Sequence, residues 1–227
     1  MQVESDFLKK YNVIDYEVKL KFYSKKNNVY KVEFKCINEK KINLVVKIFN
    51  DIKIKDKEVQ MLSILKEYGV RVPDILSIGK DNIIIDYING PTLLDMVCRL
   101  EEEGSGYEKL AENLCLWLLD FYNASKAAIG EDLIFGDVNL RNFIMLDNIY
   151  GIDFEDCKEG CKEEDIGRMC AFILTYTPSF TLWKINFVRS IIDKSTEIIK
   201  TNEIAVREYM NDELKAIEIR RGIKFTF

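Results

Sequence analysis

Asp137, Asn142 and Asp153 are the side chains in this sequence best placed to hold a cation and move a proton. They lie within FGDVNLRNFIMLDNIYGIDFED, residues 135–156. Amide and carboxylate oxygens are hard donors that suit Mg²⁺, and a carboxylate can act as a general base. The local pattern indicates how they converge. Phe143-Ile144-Met145-Leu146 and Ile149-Tyr150-Gly151-Ile152 are apolar runs separated by Asp147-Asn148, which reads as a tight β-hairpin. A two-residue loop pairs Leu146 with Ile149 and Phe143 with Ile152, so the next pair out is Asn142 opposite Asp153. Asp137 precedes Asn142 by five residues, in a turn beginning at Gly136. Taken alone, the stretch also reads as a surface hairpin with polar ends.

Composition narrows the chemistry. A chain of 227 residues makes one large domain or two small lobes. With 48% hydrophobic and 31% charged residues it belongs with soluble globular proteins. A net charge of −5 argues against a nucleic-acid partner. The absence of histidine removes Ser-His-Asp and Cys-His catalysis and His-ligated zinc. Any base is then a carboxylate, Lys, Tyr or Cys. Cys36, Cys98, Cys115 and Cys170 sit in apolar patterns and read as buried small hydrophobes, whereas Cys157 and Cys161, in CKEGC, stand apart. No second cysteine pair completes a zinc site. MQVESDFLKK lacks the apolar core of a signal peptide, and no apolar run reaches membrane-spanning length. The expectation is a cytoplasmic protein with reduced thiols and no membrane partner.

The elements that must carry these residues follow from periodicity. Val18, Leu20 and Phe22 alternate with polar residues, as do Tyr30, Val32, Phe34 and Cys36; LVVKIF (44–49) is a third strand of an antiparallel meander. Lys47 interrupts that apolar strand, so it is either paired or faces water from an edge. A helix over 55–68 follows, with Val59, Leu62 and Leu65 as its stripe, Glu58 in its first turn and Gly69 as its stop. Two more strands end at Asp86-Tyr87, and Asn89-Gly90-Pro91 breaks the pattern. Helices over 92–103 and 107–125 precede the hairpin. A nearly all-apolar helix over 163–177 and two further helices, over 179–200 and 203–221, follow it.

Lys47, Glu58, the break after Tyr87, Asp137-x-x-x-x-Asn142, the hairpin and Asp153-Phe154 occur in one order. That order resembles the protein-kinase-like phosphotransferases, in particular their small atypical members: aminoglycoside phosphotransferases, Rio-type kinases and the small kinase of the KEOPS complex. The resemblance implies an α+β, bilobal protein-kinase-like fold. An N-lobe over 1–87 would hold a five-stranded antiparallel sheet with one helix, and a mostly helical C-lobe over 88–227 would carry the catalytic β-hairpin. It implies that Lys47 contacts the nucleotide phosphates and Glu58 pairs with it, Glu67 being the alternative. Ile85, Asp86, Tyr87 and Ile88 would receive adenine, Asn142 and Asp153 would hold Mg²⁺, and Asp137 would be the base. Asp165 would brace the catalytic loop, or is an ordinary helix-start acid.

The function so implied is ATP- and Mg²⁺-dependent transfer of a phosphoryl group to a hydroxyl of a small molecule or an atypical protein. A pseudokinase, a KEOPS-kinase-like ATPase acting on a partner protein, and a metal-dependent hydrolase of another fold are the alternatives. Three departures from the family pattern stand out. Phe135 replaces a histidine at the loop entrance, Ser24-Lys25-Lys26-Asn27-Asn28 replaces a glycine-rich phosphate loop, and Glu155 follows Asp153-Phe154 where glycine is usual. Only about ten residues separate Asp153 from the next helix, which leaves no room for a peptide-docking segment. Tyr176, Thr177, Trp183 and Lys184 are candidates for the acceptor wall.

Overall fold

The computed structural model describes residues 4–225. The chain divides into two compact units, one comprising Met1–Glu67 and Val72–Asn89, the other Tyr68–Arg71 and Gly90–Phe227.

In the first unit, β1 (Val13–Phe22), β2 (Asn28–Cys36), β3 (Lys41–Ile48), β4 (Ile75–Ile78) and β5 (Asn82–Asp86) form one antiparallel sheet in the order β1-β2-β3-β5-β4. Side chains alternate between its faces. Val32, Phe34, Leu44, Val46 and Ile84 gather in one buried cluster with Phe7. Phe7 comes from a short helix, α1 (Ser5–Lys10), which adds to the single helix expected for this part of the chain. Its short sequence carries too few apolar residues to show a helical period. Lys47 is one residue on from Val46 and therefore belongs to the opposite face.

Helix α2 (Ile52–Glu67) buries Lys55, Glu58, Met61, Leu62 and Leu65 at helical spacing. Glu58 is thus on the buried stripe, while Glu67, the alternative partner for Lys47, is exposed at the helix end. Lys55 explains its own burial by donating from Nζ to the carbonyls of Gly79 (3.0 Å) and Lys80 (2.9 Å) in the β4–β5 turn.

The second unit is mainly helical: α3 (Leu93–Glu102), α4 (Glu108–Ile129), α5 (Lys162–Thr175), α6 (Leu182–Lys194) and α7 (Glu203–Arg221). Thr92 caps α3 through a reciprocal box with Asp95. The apolar face of α4 buries Leu110, Leu114, Trp117, Leu118 and Phe121. Between α4 and α5 lie β6 (Leu133–Ile134), a 3₁₀ turn (Leu140–Asn142), β7 (Phe143–Met145), β8 (Ile149–Gly151) and β9 (Lys158–Glu159). β7 and β8 form the expected hairpin, and β6 pairs with β9. Among the described residues no helix is long and apolar enough to cross a membrane.

Candidate active site

In the first unit the ammonium of Lys47 lies 2.5 Å from Oε2 of Glu58, with the two residues 4% and 1% exposed. An edge-strand lysine facing water and an exposed helix-start acid are both excluded by that burial. A buried charge pair is retained at the cost of desolvating both partners, so it is weak evidence for stability and a better marker of a function.

The first unit also places Asp86 at the end of β5, with Tyr87 and Ile88 directly after it. The Asp86 N–H is committed to the Asp74 carbonyl at 3.0 Å. Burial and then the Asp74 carboxylate raise the pKa of the Asp86 side chain. Lys31 lies 3.9 Å from the Tyr87 ring centroid, a cation–π contact. Ile85 is buried. The 24–28 turn differs from a plain exposed loop. Asn27 is buried and donates its N–H to Ser24 Oγ (3.2 Å), and the Asn50 amide donates to the Lys26 carbonyl (2.5 Å).

In the second unit the hairpin register corrects the sequence reading. Phe143 pairs with Gly151, Ile144 with Tyr150 and Met145 with Ile149. The loop is the three residues Leu146-Asp147-Asn148, closed by the Leu146 N–H on the Asn148 carbonyl (3.0 Å). Asn142 therefore faces Ile152, whose N–H donates to the Asn142 carbonyl at 2.9 Å. A slip of one residue would send the following side chain to the other face. Asp153 instead has φ +67°, in the left-handed region, and this bend rather than strand register sets its direction. Such a conformation costs on the order of 1–3 kcal/mol outside glycine and concentrates at functional sites.

Asn142 donates from Nδ2 to the Asp137 carbonyl (2.9 Å), which fixes the amide orientation and presents Oδ1 as its acceptor. Carboxylate oxygens of Asp153 and Glu155 lie within 4.8 Å of one another. The Asp153 and Glu155 carboxylates are hard oxygen donors of the kind that suits a cation such as Mg²⁺. Glu155, read from sequence only as a departure from the family pattern, thus joins the candidate ligands. Asp137 is half-buried, one residue after Gly136. Gly136 has φ +85°, and a Cβ there would stand 2.4 Å from the Asp156 carbonyl oxygen, so the turn admits only glycine.

Asp165, fully buried in the first turn of α5, holds this turn from below. Its carboxylate accepts the Phe135 N–H (2.7 Å), the Gly136 N–H (3.0 Å) and the Tyr122 hydroxyl (3.1 Å). Burial raises its pKa to about 6 despite those three bonds. The bond at 135 comes from the backbone, which explains why a phenylalanine can stand there. The Phe135 ring packs at 5.2 Å from Phe154, 5.3 Å from Phe143 and 5.7 Å from Trp117. Aromatic packing fills the space around position 135.

The proposed acceptor wall divides. The Tyr176 hydroxyl accepts the Leu140 N–H (3.2 Å) and donates to Asn139 Oδ1 (3.0 Å), so Tyr176 steadies the loop that runs from Asp137 to Asn142. Lys184 is instead buried, pairing with Glu101 on α3 (2.5 Å) and donating to the Pro178 carbonyl (2.6 Å). Trp183 donates to the Ser105 carbonyl (2.8 Å) and packs against Tyr107 and Phe187. Lys184 thus ties α6 to α3, and Trp183 ties α6 to the connection between α3 and α4. Cys157 is buried, contrary to its reading as an outlier, and Cys161 donates its thiol to the Tyr209 hydroxyl (3.2 Å).

No protein-family model matches the chain, and no curated protein matches it. Among solved structures it is similar to an ethanolamine kinase of Plasmodium vivax, with a TM-score of 0.57 and 10% identity over 93% of this chain and 74% of that one. At that identity the likeness is one of fold. The chain has an α+β protein-kinase-like fold, with a five-stranded antiparallel sheet and a largely helical remainder.

Proposed function

We propose that this protein is an ATP- and Mg²⁺-dependent phosphotransferase with a hydroxyl acceptor. The observation that carries the proposal is the buried Lys47–Glu58 pair. A metal-dependent hydrolase has no use for it, whereas phosphoryl transfer needs a fixed cation against the nucleotide phosphates. Glu58 orients Lys47 for that contact. With the Asp86 N–H already committed, adenine would take its backbone donor from Tyr87 or Ile88, beside the apolar wall of Ile85. Asn142 and Asp153, with Glu155, would hold Mg²⁺. When bound, the ion neutralises charge on the phosphate oxygens.

Asp137 accepts the proton of the acceptor hydroxyl. The acceptor oxygen bonds to the γ-phosphorus as the bond to the β,γ-bridging oxygen breaks, giving ADP and a phosphate ester. A base of this kind contributes about 10²–10⁴-fold. The short passage from Asp153 to α5, pinned by the pairing of β6 with β9, supports a small-molecule acceptor over a peptide. The absence of any membrane-spanning helix among the described residues is compatible with cytoplasmic action. The test is Mg²⁺-dependent ADP release, without acceptor and then with panels of hydroxyl compounds. Asp137→Asn is expected to abolish turnover while ATP still binds. Normal turnover by that variant removes Asp137 from the mechanism.

A further inference from the structure

The end of α5 is completed by residues from elsewhere in the chain. The last carbonyls of a helix have no intrahelical donor. At α5 the Leu174 carbonyl accepts the Phe180 N–H (2.8 Å), and the Thr175 carbonyl accepts Nη1 of Arg221 (3.1 Å), the last residue of α7. Phe180 has φ +54°. That left-handed conformation is strained outside glycine and persists where neighbours hold it. The Phe225 ring packs edge-on against Phe180, with centroids 4.8 Å apart. Helix α7 brings Phe225 there. Gly222 takes φ +63° and turns the chain back, and Glu218 accepts the Ile223 N–H on its carbonyl (3.1 Å) and the Phe225 N–H on its carboxylate (2.6 Å).

The residue that follows the helix end so completed is Tyr176. Its hydroxyl accepts the Leu140 N–H and donates to Asn139 Oδ1. Asn139 Oδ1 also accepts the Arg141 N–H (3.1 Å), and the Asn139 carbonyl accepts the Asn142 N–H (2.8 Å). Asn142 in turn donates to the Asp137 carbonyl. A continuous path of contacts therefore runs from the C-terminal tail, through the end of α5, to Asp137 and Asn142. Arg221 is exposed and Phe225 half-buried, so neither is a core residue whose loss would open a cavity.

We propose that residues 221–225 are a strap that completes the end of α5 and thereby holds Tyr176 against the loop from Asp137 to Asn142. Arg221 and Phe225 are then positioning residues for the base, acting through Tyr176. The proposal rests on the phosphotransferase reading of Asp137.

The test is native-state hydrogen exchange of the full chain, followed by NMR at the Leu140 and Arg141 amides, with ADP release measured on the same proteins. The amide of Leu118, fully buried on α4, reports global stability. Tyr176→Phe removes the acceptor of the Leu140 N–H and should speed its exchange at least tenfold. Arg221→Gln and Phe225→Ala, made at the far end of the path, should each speed exchange at Leu140 about tenfold, on the scale of one lost hydrogen bond. Leu118 should hardly change. Arg221→Lys, which keeps a cationic donor, should recover part of the protection. Phe225→Ala added to Tyr176→Phe should have no further effect at Leu140. Both tail variants should lower kcat for ADP release and leave KM for ATP unchanged. Exchange at Leu140 indifferent to both tail variants, equal changes at Leu140 and Leu118, or additive effects of Phe225→Ala and Tyr176→Phe overturn the proposal. Failure of the wild-type protein to release ADP instead overturns the phosphotransferase reading, because the exchange measurements report on the strap without turnover.

Discussion

Asp165→Asn isolates the cost of keeping an ionised carboxylate under the Phe135–Gly136 turn. In the folded protein burial raises this pKa to about 6, against about 3.9 for an ordinary aspartate. Between those values the native state binds more protons than the unfolded chain. The contribution of Asp165 to stability is therefore fully present below about pH 4 and is lost as the pH rises through about 6. A shift of about two units corresponds to about 3 kcal/mol. The amide cannot titrate. The stability of the variant relative to wild type should rise by up to about 3 kcal/mol between pH 4 and pH 7, while the other titrating groups cancel in the difference.

A second effect opposes this gain at every pH. With its oxygen at the Oδ2 position, facing Phe135 and Tyr122, the asparagine turns its NH₂ toward the Gly136 N–H. One buried donor is left unmatched, at about 1–3 kcal/mol. The two proteins should then be of similar stability near pH 7, with the variant clearly weaker near pH 4. Turnover of the variant should fall even where stability matches, because the Gly136 turn carrying Asp137 loses an anchor. Urea unfolding followed by tryptophan fluorescence at pH 4, 5, 6 and 7 measures the difference directly. A stability difference that stays constant over this range, or that moves against the variant as the pH rises, refutes the reasoning.

Removing one member of the buried ion pair should cost more than removing both. Glu58→Ala takes the 2.5 Å carboxylate partner from the buried Lys47 ammonium and should destabilise the protein by about 3–5 kcal/mol, while Lys47→Met combined with Glu58→Leu should recover much of that loss; urea denaturation of the three proteins checks it. Gly136→Ala brings a Cβ against the Asp156 carbonyl oxygen at a positive φ, so stability should drop by at least about 1–2 kcal/mol, read as a lower melting temperature. Chelation of Mg²⁺ should stop ADP release reversibly, and Asp153→Asn should raise the Mg²⁺ concentration needed for half-maximal release; an unchanged Mg²⁺ requirement would remove Asp153 from the metal site.

Much of this architecture was legible in the sequence because it is local. Period-two alternation located β1 to β3, helical spacing located α2 and α4, and α7 ends at Arg221 as read from Arg220-Arg221-Gly222. Lys47 was visible as a charge that did not fit its strand, and Glu58 as an acid near an apolar stripe. Neither pattern could state that the two meet, and their burial is a property of the packed unit. The six-residue α1 escaped notice because its one buried residue, Phe7, sets no period.

By itself the sequence showed that Asp137, Asn142 and Asp153 lie together around one short hairpin, since residue type and spacing along one segment suffice for that. Tertiary structure decided how they are aimed. The loop took three residues rather than two, so Asn142 faces Ile152, and the left-handed bend at Asp153 does what register was expected to do. Asp165 and Tyr176 reach the 135–140 segment from about thirty residues away or more, and Lys184 finds Glu101 across more than eighty. Contacts at such separations leave no periodic trace in the chain. They are fixed by which buried polar groups must find partners once the helices pack.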